Sequence, residues 1–341
     1  DQRYQSSDRV IQVESLRLAN SWLNHEINLK VKSSWHQDTA SFHGQFRHGF
    51  FKSASNWQHW SGQFVWQIQD LDLKIVNQWV DHPIQINNGF LTTKGQAYLD
   101  EGILDGGKAS VSGREIRIEW ARIGKPLTLA SLNAELEQST SGNLMTISSP
   151  KITWLENKQI GPQELNDLSL YWKAAANIGS IKYAGIKTSQ IEMTLVEQLA
   201  KQFPLPKDLV EFTKSYQSKG TLKNLDVSWN EDIKKLPFDI KIPGIDQSRY
   251  KLAFEFKNVF LTPVKDPALA AQNLSGKIYA TEVGGQVVLE TNNGSVTFNK
   301  FLENDFLPIS QSSGLIKWTK VSNHWLYEWN NVHILNEDLD L

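Results

Sequence analysis

The chain has 341 residues, 35 Lys and Arg against 37 Asp and Glu, a formal net charge of −2 and 40% hydrophobic residues. That balance belongs to an ordinary folded chain, neither disordered nor membrane-spanning, and gives no electrostatic reason to expect nucleic acid as a partner. The absence of cysteine excludes disulfides, thiolate metal sites and a cysteine nucleophile, and suits a compartment that oxidises stray thiols, such as the periplasm.

No run of 18 or more apolar residues is present, so no helical span is expected, and no signal peptide is legible. The chain opens on Asp1 without Met and stops on Asp340-Leu341 in mid-pattern. It is therefore expected to be a segment of a longer protein, with any membrane anchor outside it.

From the N-terminus the dominant signal is strict alternation, the period of a half-buried strand. It runs through 27–32, where Ile27, Leu29 and Val31 alternate with Asn28, Lys30 and Lys32, and through 64–69, where Phe64, Trp66 and Ile68 do the same. Between them lies an aromatic-rich stretch, 42–51, flanked by His43 and His48. Asp70 and Asp72 follow, then a weak helix pattern over 73–80. Alternation returns with Ile116, Ile118 and Trp120. A short helix is expected over 192–203, stopped by Pro204, and a second from Pro206 to Phe212. Strands resume with Leu225, Val227 and Trp229, then Leu252, Phe254 and Phe256, and finally Trp325, Tyr327 and Trp329.

Many of these runs open on glycine, as in Gly44-Gln45-Phe46, Gly62-Gln63-Phe64, Gly220-Thr221-Leu222, Gly276-Lys277-Ile278 and Gly314-Leu315-Ile316. Glycine suits the turn before a strand, so these positions are expected to be turns. Such cues at short intervals, with little helix between, predict an antiparallel meander rather than βαβ units. Leu132, Gly142, Ile147 and Trp154 echo Leu274, Gly284, Leu289 and Phe298, each read as strand, turn, strand, turn, strand.

The ordered series from Gly220 onward carries a resemblance. Gly220-Thr221-Leu222-Lys223-Asn224-Leu225-Asp226-Val227-Ser228-Trp229 is followed by 250–261, Asn273-Leu274-Ser275-Gly276-Lys277-Ile278, 287–298, Leu307-Pro308-Ile309, Gly314-Leu315-Ile316-Lys317-Trp318, 325–329 and Asn336-Glu337-Asp338. This order resembles the YhdP branch of the AsmA-like family, bacterial bridge-like lipid transfer proteins. Asp70-Leu71-Asp72-Leu73 with Trp79, and the 186–220 stretch, resemble it more loosely.

The resemblance implies a mainly β fold: a long curled antiparallel sheet forming a hydrophobic groove of repeated meander units, with a few short helices. It further implies phospholipid transport between the inner and outer membranes of Gram-negative bacteria, in the periplasm, with a tether to the inner membrane lying outside this chain. The expected organisation is groove units over 1–200, a helical connector over 201–219 and a further unit over 220–341. The expected partners are phospholipid acyl chains, and the two membranes through parts outside this segment. The groove lining is expected to be Phe64, Trp66, Ile68, Ile116, Ile118, Trp120, Leu225, Val227, Trp229, Leu252, Phe254, Phe256, Trp325, Tyr327 and Trp329.

Signatures of catalysis are missing. There is no Gly-x-Ser-x-Gly, P-loop, Gly-x-Gly-x-x-Gly or His-Glu-x-x-His motif, so no catalytic residue, metal or cofactor is expected. His43 and His48 lack ligand spacing and read as strand or turn residues. Asp70 and Asp72 form a carboxylate pair, for which capping of a following helix is the simpler account. The 13 tryptophans are the anomaly. Residue chemistry alone leaves three roles open for them: packed core, stacking on sugars, and the lining of a trough for acyl chains. A passive envelope scaffold and a glycan-binding β-protein are the corresponding alternatives.

Overall fold

The computed structural model describes residues 11–33, 36–75, 84–120, 123–156, 161–173, 183–200, 211, 214–230, 249–264, 269–298, 306–321 and 324–337. It confirms the mainly β class. Sixteen strands account for almost all of these residues: β1 (Ile11–Ser21), β2 (Asn24–Ser33), β3 (His36–His48), β4 (Trp60–Asp72), β5 (Ile84–Asp100), β6 (Ile103–Trp120), β7 (Ile123–Ser141), β8 (Leu144–Glu156), β9 (Gln163–Lys173), β10 (Ala184–Glu192), β11 (Tyr216–Trp229), β12 (Tyr250–Pro263), β13 (Leu269–Thr281), β14 (Gly284–Phe298), β15 (Phe306–Val321) and β16 (His324–Leu335). Strand order is chain order, without a crossover, and the sheet is not closed into a barrel. The chain divides into two compact units, Asp1–Leu165 and Asn166–Leu341, here called units 1 and 2.

Helix is sparse, as the alternation demands. α1 spans Met193–Ala200, inside the expected 192–203. Of the helix expected from Pro206, and of the 201–219 connector, residues 201–210 and 212–213 lie outside the described residues, and β11 already begins at Tyr216. The 73–80 helix reduces in its described part to a 3₁₀ turn at Leu73–Ile75, opened by the Asp72 carboxylate accepting from the Lys74 N–H at 3.0 Å.

The expected turns at Gly44, Gly62, Gly220, Gly276 and Gly314 are corrected: all five lie inside strands. Two have positive φ, Gly220 at 117° and Gly314 at 141°, and sit at breaks in register rather than at chain reversals. Gly62 lies against the backbone of Gln45 and Phe46, while Gly44 and Gly276 make room for a ring. A Cβ on Gly276 would stand 2.7 Å from the Phe256 ring, and one on Gly44 would overlap the Phe46 ring. The internal echo is likewise two strands per copy rather than three. Leu132 to Trp154 is the β7–β8 hairpin and Leu274 to Phe298 the β13–β14 hairpin.

Strands of 9 to 19 residues stay intact because irregularity is absorbed as bulges. Non-glycine residues with positive φ recur at Asp70, Glu115, Asp167, Asn224, Asn258, Asn273, Asn293 and Asn331. Asn and Asp tolerate that region best, and each bulge bends its strand and adds local twist. Side chains brace several of them: Asn273 Nδ2 donates to the carbonyls of Asn292 and Asn293 at 3.1 and 2.9 Å, and the Asn258 N–H donates to Ser275 Oγ at 3.1 Å.

Candidate functional site

Directly opposite residues in a ladder share a face, so the register sorts every strand into two sides. In unit 1 one side gathers the apolar positions. Leu18 faces Ile27, Leu29 faces Phe42, Phe42 faces Trp66, and Gly44 faces Phe64. Across β5 and β6 the same side carries Ala97, Gly95, Val111 and Gly113, and across β7 and β8 Leu132, Ala134, Ile152 and Trp154. The rings touch along it: Phe42 and Phe64 stack at 5.3 Å, Phe64 and Trp66 lie 5.7 Å apart, and Phe46 and Trp60 5.5 Å. The expected lining residues Phe64, Trp66, Ile68, Ile116 and Ile118 all fall on this side, with Trp66 lying flat over Gly95, where a Cβ would sit 2.5 Å from the indole. Trp120 belongs to β6, but its side chain lies outside the described residues.

Unit 2 repeats the arrangement. Val227 faces Ile186 and Leu252; Phe254 faces Ile278, which faces Val287, which faces Ile316, which faces Trp329. Leu225, Trp229, Phe256, Tyr327 and Trp325 are on the same side by alternation. Trp318 covers Gly285 as Phe256 covers Gly276. Sequence reasoning missed Phe42, Phe46, Trp60, Ile278, Val287 and Trp318. The one local signal is a glycine two residues from a ring, as at Gly44 and Phe46; the other pairings depend on the register between strands.

Burial along the stripe is graded. Phe46, Ile116, Leu129, Trp154, Leu222 and Phe256 are buried, whereas Phe64, Trp66, Leu252 and Phe254 are half-buried, and Trp325, Tyr327 and Trp329 are exposed. Among the described residues no second sheet covers this side. Short helical pieces lie at the stripe's end. In unit 2 Leu195 of α1 is buried, and the Glu197 carboxylate accepts from both the N–H and the Oγ of buried Ser218. In unit 1 Leu73 and Ile75 are buried, Leu73 beside Gly89 and Ile116.

The opposite side is polar. Lys30, Ser41, Gln67, Lys94, Ser110 and Glu135 face one another across six strands of unit 1 and line a shallow hollow of about 710 Å³. The polar side of unit 2 holds a brace. Tyr171 Oη donates to Asp226 at 2.7 Å, and Lys187 Nζ lies 3.1 Å from the same carboxylate. Burial, then the Asp226 hydrogen bond, pushes the Tyr171 phenol far above its usual range.

The remaining candidate side chains are engaged in local contacts. His43 Nδ1 is 2.6 Å from Asn28 Oδ1. His25, buried, is stacked between His48 at 5.1 Å and Trp60 at 4.6 Å, with Nδ1 2.9 Å from Asn20 Oδ1. Burial, then the neighbouring His48, lowers its pKa. Asp70 and Asp72 are split by function: Asp72 caps the 3₁₀ turn, and Asp70, at a bulge, meets Arg114 Nε at 3.2 Å. Among the described residues no group of three or more His, Asp or Glu is placed to hold a metal, and no helix is long and apolar enough to cross a membrane.

An antiparallel meander whose long strands share one apolar side and that is not closed into a barrel defines an open β-sheet protein. Comparison with known families agrees, because the chain matches the family described as YhdP protein over residues 2–341. It belongs to that family. No curated protein and no solved structure matches it.

Proposed function

We propose that the apolar side of each unit holds the acyl chains of phospholipid, and that the chain forms part of a conduit carrying lipid between the inner and outer membranes of a Gram-negative envelope, in the periplasm. One observation carries the reading: within each unit, rings and branched aliphatics gather on one side of the sheet, and no second sheet covers it among the described residues. Such a surface needs an apolar occupant. Each buried CH₂ of an acyl chain contributes about 0.8 kcal/mol without a directional bond, so a chain is retained yet free to slide. Family membership supports the same function. The role is one of binding, without chemistry on the lipid.

Native mass spectrometry of the chain purified from a bacterium tests it. Phospholipid adducts are expected. Apo protein alone, under conditions that preserve a control carrier's lipid, would instead favour a passive scaffold, and retention on envelope glycan without lipid would favour a glycan-binding protein.

A further inference from the structure

A second apolar surface in unit 1 has no part in the stripe. It is built by three connections on one rim: the β1–β2 turn, the β3–β4 loop and the β5–β6 turn. They are tied together, with the His48 N–H donating to the Leu23 carbonyl at 3.1 Å and the Gly102 N–H to the Trp60 carbonyl at 2.9 Å. Five large apolar side chains project from them into solvent: Trp22 is 79% exposed, Phe50 60%, Phe51 95%, Trp57 61% and Ile103 64%. Trp22 and Phe50 meet edge to face at 5.5 Å, and Phe50 and Phe51 at 5.0 Å.

These rings are held out by a loop with its own internal order. The Lys52 N–H donates to Gly49 O at 2.9 Å, Asn56 N–H to Ser53 O at 3.1 Å, and Trp60 Nε1 to Ala54 O at 3.1 Å. The Asn56 side chain caps the 3₁₀ turn at Trp57–His59. A preformed loop that keeps a phenylalanine almost wholly in water marks an interaction surface.

We propose that this rim inserts its rings into the interfacial layer of a phospholipid bilayer. The tips come from three separate connections and protrude, so a fluid layer fits them without a matching pocket. Trp and Phe are the side chains that favour the headgroup–acyl boundary. Residues 49–59 include one lysine, Lys52, and no carboxylate, so insertion buries no anion, and Lys52 has the reach to keep its ammonium at the headgroups. The neighbouring carboxylates, Asp100 and Glu101, sit on the β5–β6 turn, and Asp100 accepts from Ser61 Oγ at 2.9 Å. They give anionic lipid no advantage. The surface therefore takes zwitterionic bilayer through apolar insertion, and salt has little effect on it.

Flotation with phosphatidylcholine vesicles is the test, run on the intact chain, the double variant Phe51→Ser/Trp57→Ser, and Glu255→Gln. The wild type is expected to float at both low and high salt. The double variant should partition about tenfold or more less, with an unchanged melting point because both side chains are exposed. Glu255→Gln lies on the polar side of unit 2, part of neither the rim nor the stripe, so it should float like the wild type whether or not the conduit reading stands. The proposal is overturned if the wild type stays in solution, if the double variant floats equally well, if binding needs anionic lipid and disappears in salt, or if the rim holds isolated cell-wall glycan and not vesicles.

Discussion

Phe254 discriminates an open stripe from a sealed core. It is half-buried, opposite Ile278, with its ring 6.5 Å from that of Phe256. Replacing it by Glu removes ring contacts and adds a charge. Deleting a fully buried Phe costs about 3–5 kcal/mol. A half-buried one costs on the order of 2 kcal/mol, and the carboxylate escapes to water on the uncovered side. In a unit of this size that corresponds to a fall of about 4–8 °C in melting point. Phe256 is only 9% exposed, so Phe256→Glu strands a charge among side chains and should cost several kcal/mol or prevent folding. Lipid loading should respond in a different order. A charge amid acyl chains costs about 2.5–3.5 kcal/mol, on the order of 100-fold in occupancy. Differential scanning calorimetry and quantitative lipid analysis, on the same preparations of both variants and of Glu255→Gln on the polar side, measure the two effects. A Phe254→Glu protein that fails to fold, or folds and loads lipid normally, would refute the assignment of this side.

Three further outcomes are expected. Gly95→Ala should lose about 1–3 kcal/mol, because its Cβ would press on the Trp66 indole, while Gly106→Ala, with nothing nearer than 3.6 Å, should be close to neutral by chemical denaturation. Tyr171→Phe should cost about 1 kcal/mol through its lost bond to Asp226. The raised Tyr171 pKa means that the wild type holds its full contribution below the ordinary phenol pKa of about 10 and loses it above, so alkaline stability curves of wild type and variant should converge. For His25 the sign reverses: its lowered pKa stabilises the neutral ring above the ordinary imidazole value of about 6.5, and that contribution fades as pH falls below it. Denaturation of wild type and His25→Phe between pH 5 and 8 should show the acid loss only in the wild type.

The class of fold was legible because period-2 alternation survives in uninterrupted pieces such as 64–69 and 250–257, where side chains must choose between two sides of one ladder. What hid the strand lengths was the bulge. At Asp70, Glu115 and Asn258 one extra residue shifts the parity, so a strand that continues looks as if it ends. Glycine misled for a related reason. Gly276 lies beneath the Phe256 ring rather than in a turn, and that partner is on another strand, 20 residues away, beyond any local reading. The site residues named from alternation were incomplete in the same way, since Trp60 and Trp318 become visible only once register is known. The 42–51 stretch that holds Phe50 and Phe51 stands out in the sequence as aromatic-rich, but exposure is a property of the loop's geometry and leaves no mark in composition.

The chain-order topology has a consequence for growth. Within each unit a strand needs only the strand before it and the strand after it, so adding or deleting a hairpin leaves every other pairing intact. A globular core resists such a change because its elements interlock through space. Here length is a variable that point-by-point inheritance can adjust, two strands at a time, roughly 10 Å per hairpin at the usual spacing between strands. Assembly benefits in the same way. Each strand can dock as soon as it emerges, with loop-closure distances no longer than one connection, so the order of synthesis and the order of pairing coincide.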